Sequence, residues 1–485
     1  MIAPRRRIGA VLAPAVFLLL LALPMPGLPA PAHRLGAVLA AVVVLWVTEA
    51  LPLAVTALLG AAACVVLQVA SAKEVFAPFA DPLMFLFIGA FILARAIFLH
   101  GLDRRVAYAV LSLPWVGARP SRILLAFGAV TAFISWWISN TATTAMMFGI
   151  GLSILAALRA PGGAASINPR YATALMLMTA FAASVGGLAT PVGTPPNVIG
   201  IGFIRSLVGV EIPFFRWMLV GVPIFLVLFT FLYLYLDRAA PAGVRELPAG
   251  AELIRRERER LGPWTRGQRS VAIAFTVTVS LWILPGIVAI VVGEGSAAYA
   301  SLNRRVPEGV AALLGAMLLF MLPGEKGPAI TWDDAVQIDW GVVLLYGGGF
   351  ALGVLSFQTG LAEAMGRGLT GLLPIQGSLG LLVASVVVAV ILSETTSNTA
   401  AANMVVPVVI SVARAAGLDP FEPALGATMA ASLGFMLPVS TPCNAIVYGS
   451  GLIPLGQMMR HGLALDLVGI VVIVTLVHAL APLVR

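Results

Sequence analysis

Apolar stretches long enough to cross a bilayer, about 20 residues each, recur from one end of this chain to the other. Lipid offers no partner to a backbone N–H or C=O, so each stretch is expected to satisfy its own hydrogen bonds as a helix. Hydrophobic residues make up 60% of the 485 positions and charged residues only 10%, where soluble domains carry about a quarter charged. No stretch between the apolar runs is long enough for a soluble domain. The expected fold is an all-α polytopic membrane protein. Eleven spans are placed near 8–28, 34–50, 52–70, 83–101, 168–210, 216–236, 270–292, 307–323, 341–360, 421–453 and 463–483. Two shorter re-entrant hairpins fall near 122–157 and 376–414.

Against this background the polar residues are conspicuous. The triplet Ser139-Asn140-Thr141 recurs as Ser397-Asn398-Thr399, 258 positions on. Each triplet is followed by a proline loop, Gly193-Thr194-Pro195-Pro196-Asn197 and Ser440-Thr441-Pro442-Cys443-Asn444, 247 positions apart. A third marker, Leu86–Leu102, aligns without a gap to Leu345–Leu361 at an offset of 259. Three markers in one order at nearly one offset predict an internal duplication. Its expected parts are 1–33 (an extra N-terminal span), 34–236 (the first repeat), 237–269 (a charged linker) and 270–485 (the second repeat).

Charge gives the halves their orientation. The connector before the first triplet carries Arg104, Arg105, Arg119 and Arg122 against Asp103, whereas its counterpart carries Arg367 balanced by Glu363. Lys and Arg mark cytoplasmic loops, so the first connector is expected inside and the second outside. Five spans per repeat would invert the halves, a plan in which the site lies at the repeat interface. The stretch 238–269, with eight arginines and four glutamates, reads as a cytoplasmic linker with a charged surface helix. Arg5-Arg6-Arg7 ahead of the first apolar run reads as a retained span with a cytoplasmic N-terminus rather than a cleaved signal. The pI is near 10, but the basic residues sit between apolar runs without aromatic interleaving, which excludes a nucleic-acid partner.

Breaks at Gly186-Gly187, Pro191, Pro195, Pro196, Pro438 and Pro442 remove donors and disfavour helix. Unwound backbone at membrane depth persists where protein buries it or where it lines a wet cavity. Hairpin tips and breaks expose helix N-termini, which hold anions without a lysine or arginine. Carbonyls and hydroxyls beside them are hard ligands suited to Na⁺. Ser135 precedes Ser139 by four positions and Ser393 precedes Ser397 by four, a spacing that places each pair on one helical face. Glu394 and Glu49 are intramembrane acids with two readings: a proton carrier or counter-charge, or a cap on nearby amides. The glycine run Gly347-Gly348-Gly349 reads as a close-packing surface. The four histidines have no metal-ligand spacing and Cys64 and Cys443 no disulfide framework, and no enzyme motif is visible.

Taken together, the paired Ser-Asn-Thr hairpins with Thr-Pro-x-Asn loops resemble the divalent anion–sodium symporters, the di- and tricarboxylate carriers. Trp46–Leu59, Leu86–Leu102, Asp339–Leu361 and Met436–Gly451 carry the resemblance further. It implies a homodimer in a cell membrane (the inner membrane, where there are two), with a transport domain that moves like an elevator against a scaffold. It also implies Na⁺ as coupling ion and C4-dicarboxylates such as succinate, malate or fumarate as cargo. Exchange, or a tricarboxylate or sulfate cargo, is the alternative. By the same resemblance Asn140, Thr141, Thr194, Ser397, Asn398, Thr399 and Thr441 would hold the anion. Ser135, Ser139, Asn140 and Gly193 would hold one Na⁺, and Ser393, Asn398 and Ser440 another. Cys443 departs from the family pattern, which has a second proline there, and this bears on the size of substrate accepted.

Overall fold

The computed structural model describes residues 4–159, 168–293, 295–370 and 377–485, and among these the regular elements are helices. In chain order, α1 (Pro4–Ala22), α2 (Ala30–Thr48) and α3 (Leu53–Val66) lead to α4 (Pro82–Leu99) and the short α5 (Leu102–Leu111). The first hairpin is α6 (Pro120–Ser135) and α7 (Asn140–Arg159). The pieces α8 (Pro169–Gly186) and α9 (Pro195–Phe203) form a broken helix, followed by α10 (Phe214–Ala239). Next come α11 (Pro248–Arg260), α12 (Arg266–Val292), α13 (Glu308–Met321), α14 (Trp340–Gln358) and α15 (Leu361–Thr370). The second hairpin is α16 (Gly377–Thr395) and α17 (Asn398–Ala415), the second broken helix α18 (Phe421–Ala430) and α19 (Pro442–Tyr448), and α20 (Leu455–Leu480) is the last long helix.

Nine helices among the described residues are long and apolar enough to cross a membrane, three of them arms of the hairpins. The stretches placed near 52–70 and 307–323 form helices of only 14 residues. Local punctuation explains the first: Pro52 caps α3, and Gln68, at φ 55°, turns the chain out of it. Glu49 occupies the left-handed C-cap of α2 at φ 50° and is half-buried. It therefore sits in the turn between α2 and α3.

At the centre lies α8, in which every residue from Tyr171 to Gly186 is buried. Its many Ala, Gly, Ser and Thr side chains let α6, α7, α10 and α19 approach closely. The broken helices cross over: α9 packs on α17 and α18, while α19 packs on α7 and α8. The outer helices cross likewise, α4 against α13 and α14 against α3. The arginine-rich segments meet on one face. There Arg105 donates to the carbonyls of Leu261, Gly262 and Pro263 and stacks over Trp264, and Arg258 donates to Ser112 Oγ.

Candidate functional site: four helix ends on one cavity

Each hairpin reverses at its triplet because the serine there caps the returning helix. Ser139 Oγ accepts from Ala142 N at 3.3 Å, and Ser397 Oγ accepts from Ala400 N at 3.2 Å, satisfying one of the free N–H groups that open a helix. Asn140 and Asn398 are then the first helical residues. The expected pairing of Ser135 with Ser139, and of Ser393 with Ser397, on one helical face does not occur. Ser135 ends α6 and Ser393 lies in the last turn of α16, so a chain reversal separates each pair. The upstream serine instead meets the asparagine five positions on. Ser135 Oγ lies 2.7 Å from the Asn140 amide, and Ser393 Oγ donates to Asn398 Oδ1 at 2.8 Å.

The breaks are built alike. Thr194 and Thr441 precede their helices in extended conformation, with φ/ψ of −146°/142° and −140°/149°. Proline follows at the first helical position, where its missing N–H costs nothing. Unwinding strands carbonyls that must find donors, and one buried amide serves each loop. Asn197 Nδ2 donates to Gly187 O at 2.9 Å and Thr190 O at 2.8 Å. Asn444 Nδ2 donates to Gly434 O and Leu437 O, both at 3.0 Å.

The N-termini of α7, α9, α17 and α19 open on a single cavity of about 740 Å³. All seven residues expected to hold the anion line it: Asn140, Thr141, Thr194, Ser397, Asn398, Thr399 and Thr441. Ser139 and Ser440 line it as well. Cys443 is buried in the cavity wall, within reach of the hydroxyls of Thr141, Thr144 and Ser184, so the second proline loop rests on the first hairpin.

Beneath each tip oxygens gather. The Asn140 amide is ringed by Ser135 Oγ and the carbonyls of Ala183 and Gly193. With Oδ1 toward them the ring is all oxygen; with the amide turned, Nδ2 would donate to Ala183 O at 3.1 Å and Gly193 O at 3.2 Å. A small cation in the ring would favour the first arrangement. Gly187 must lack a side chain here, because a Cβ would lie 2.5 Å from Asn140 Oδ1. Under the second tip, Ala431 O lies 2.8 Å from Ser393 Oγ as a second acceptor for its one proton, and Asn398 Nδ2 donates to Ser432 O at 3.4 Å. These are neutral, hard oxygens of the kind that suit Na⁺.

Other groups at the cavity went unassigned in the sequence. Arg95, on the last turns of α4, lines it and donates to Gln337 Oε1 at 2.6 Å, with Asp339 nearby on the same wall. A lone arginine within Ile92–Leu99 was the available signal. Glu394 caps the second break, accepting from Met436 N at 2.7 Å and Leu437 N at 3.2 Å.

Comparison with known proteins places this geometry. The sequence profile described as "Sodium:sulfate symporter transmembrane region" matches residues 5–484. The sodium-dependent dicarboxylate transporter SdcS of Staphylococcus saprophyticus is 34% identical over 98% of this chain and 91% of its own. Its namesake from Staphylococcus aureus (strain USA300) is 34% identical over the same shares. The crystal structure of the YdaH transporter of Alcanivorax borkumensis is similar in fold, with a TM-score of 0.55 at 14% identity, covering 98% of this chain and 96% of that one. The chain belongs to the sodium:sulfate symporter family, whose transmembrane region its residues 5–484 match.

Proposed function

We propose that this protein is a secondary transporter that carries C4-dicarboxylates into the cell by Na⁺ symport. One observation carries the reading: four helix N-termini, two from each half of the chain, open on one cavity. Each contributes about half a positive charge, enough in sum to hold two carboxylates on backbone amides and on the Asn and Thr side chains. Asn140 and Thr141 would meet one carboxylate and Asn398 and Thr399 the other, with Thr194, Ser397 and Thr441 at the sides. The oxygens around Asn140 (Ser135, Ser139, Gly193) and around Asn398 (Ser393, Ser440) would hold Na⁺. Because the same asparagines would touch both anion and cation, binding one prepares the place of the other. The names of the Staphylococcus relatives support the cargo and the ion.

The two halves act as inverted repeats in this reading, and α6–α9 with α16–α19 form a core that slides against the outer helices. The cavity is lined by the start of α3, the end of α4 and the start of α14, the ends nearest the arginine-bearing face. The positive-inside rule makes that face cytoplasmic, so the site faces inward. Helix α12 leaves Ile273, Ile287, Ile290 and Val291 exposed, an apolar face suited to lipid, and in this reading the working unit is a homodimer in the cell membrane.

Uptake of labelled succinate into proteoliposomes tests the reading. It should require an inward Na⁺ gradient and persist in excess sulfate. Equal uptake with choline in place of Na⁺ would reject the coupling, and strong competition by sulfate would reassign the cargo. Asn140→Ala and Asn398→Ala should each abolish uptake in a protein that still elutes as a folded particle.

A further inference from the structure

The helix ends that open on the cavity line it without a charged side chain, but the wall facing them carries one. Arg95 lines the cavity from α4, one of the outer helices. It is half-buried, and its hydrogen-bond partner among the described residues is a neutral one, Gln337 Oε1 at 2.6 Å. Its Nε is buried with no partner. Asp339, the acid on that wall, turns to the start of α14 instead, where its Oδ1 accepts from Val342 N at 3.2 Å. A guanidinium with no carboxylate against it is costly at membrane depth. Bracing Gln337 needs one donor and no charge, so the rest of the fork is left for a carboxylate that arrives from solution.

The matching position in the second half carries no charge. In the ungapped alignment of Leu86–Leu102 with Leu345–Leu361, Arg95 corresponds to Val354, and Phe91, Ala94 and Phe98 correspond to Phe350, Gly353 and Phe357. All four residues of α4 line the cavity, whereas their counterparts on α14 do not. The core covers that face. Phe203 of α9 packs on Phe350 with ring centroids 5.4 Å apart, and its Cε1 would lie 2.3 Å from a Cβ at Gly353. Arg414 of α17 lies over the Phe357 ring at 5.2 Å. One face of the outer pair is thus open and its mate covered. A core that slides to the other side exchanges them, and the cavity opened there presents Val354 in place of Arg95.

We propose that Arg95 forms a carboxylate subsite on the outer wall of the cytoplasmic cavity, which the dicarboxylate meets only when the core lies at that face. The inference rests on the inward-facing transport reading and deepens it. Its consequence is a one-sided affinity, with dicarboxylate held more tightly from the cytoplasm than from outside. A hydrogen bond to a charged group of this kind corresponds to about tenfold in affinity. Uptake then slows as dicarboxylate accumulates inside, because Arg95 keeps the loaded, inward-facing carrier populated.

The test is the KM for ¹⁴C-succinate at saturating Na⁺ in right-side-out and in inverted membrane vesicles, which present the outer and the cytoplasmic face. Arg95→Gln should raise KM about tenfold in inverted vesicles and leave it within about twofold in right-side-out vesicles. Arg95→Lys, which keeps the charge, should recover most of the loss. Should Arg95→Gln not reach the membrane, Arg95→Val, which copies the second half, is read in the same way. An unchanged KM in inverted vesicles would overturn the subsite, and a rise in right-side-out vesicles alone would overturn its cytoplasmic placement. An equal rise in both would make Arg95 a support of the fold, and opposite shifts would make it a bias on the position of the core; either result overturns the proposal. Wild-type vesicles without succinate uptake in either orientation would instead remove the dicarboxylate reading, and the subsite with it.

Discussion

Asn197 and Asn444 show what a single side chain does in an oily core. Each is fully buried and turns two carbonyls of an unwound segment into satisfied acceptors. Alanine at either position strands those carbonyls where no water can reach them, at a cost of about 1–3 kcal/mol each. Asn197→Ala and Asn444→Ala should therefore lower the thermal midpoint in detergent by several degrees and raise the Na⁺ concentration for half-maximal uptake at least tenfold. Their residue types were visible in the proline loops, but their partners were not. Which carbonyls a break leaves open depends on how the chain turns between Gly187 and Thr194. The triplets were easier to read, because a serine before an apolar helix is a capping signal independent of the rest of the fold.

Among the elements, two contacts carry predictions. Asp81 caps α4, receiving Leu83 N at 2.9 Å, and is also bonded by Tyr346 Oη of α14 at 3.1 Å and ion-paired with Arg205, in the turn after α9. This ties the core to the outer helices at the end of α4 opposite the cavity-lining residues. A core that slides must break the tie. Asp81→Asn and Arg205→Gln should each change the exchange rate about tenfold, about 1.4 kcal/mol, and the double variant should change it no further. Additive effects would show that the pair does not act as a latch. The second contact is on α5, in the arginine-bearing connector. Asp103 is buried there, which pushes its carboxyl up to about 6, against the opposing pull of the Arg104 N–H. The unfolded acid titrates near 3.9, so between about pH 4 and pH 6 the folded chain holds a proton that the unfolded chain has lost. Stability therefore falls as pH rises through that window, and above it the full penalty of about 2–3 kcal/mol applies. The gap in thermal midpoint between Asp103→Asn and wild type should widen from pH 4 to pH 6 and then stay constant.

Across the whole molecule, packing sets the cavity toward the arginine-bearing face, and the proposed orientation makes that face cytoplasmic. With Cys64 and Cys443 replaced by alanine, a cysteine at Phe98 should react with an impermeant thiol reagent from the cytoplasmic side only, and substrate should slow the reaction. Labelling from outside would place the resting site on the other face. The sequence by itself determined the helical membrane class, the two hairpins and the two breaks. Apolar run length, proline and glycine are local instructions that no distant contact needs to complete. It also indicated that the two triplets belong together, since the same motifs stand at nearly the same offset in both halves. Only the tertiary structure decided that four helix ends share one cavity, that Arg95 meets Gln337, and that Cys443 leans on Thr141. Those pairings join residues dozens to hundreds of positions apart, and their geometry comes from the crossing of the two halves, which no window of sequence contains.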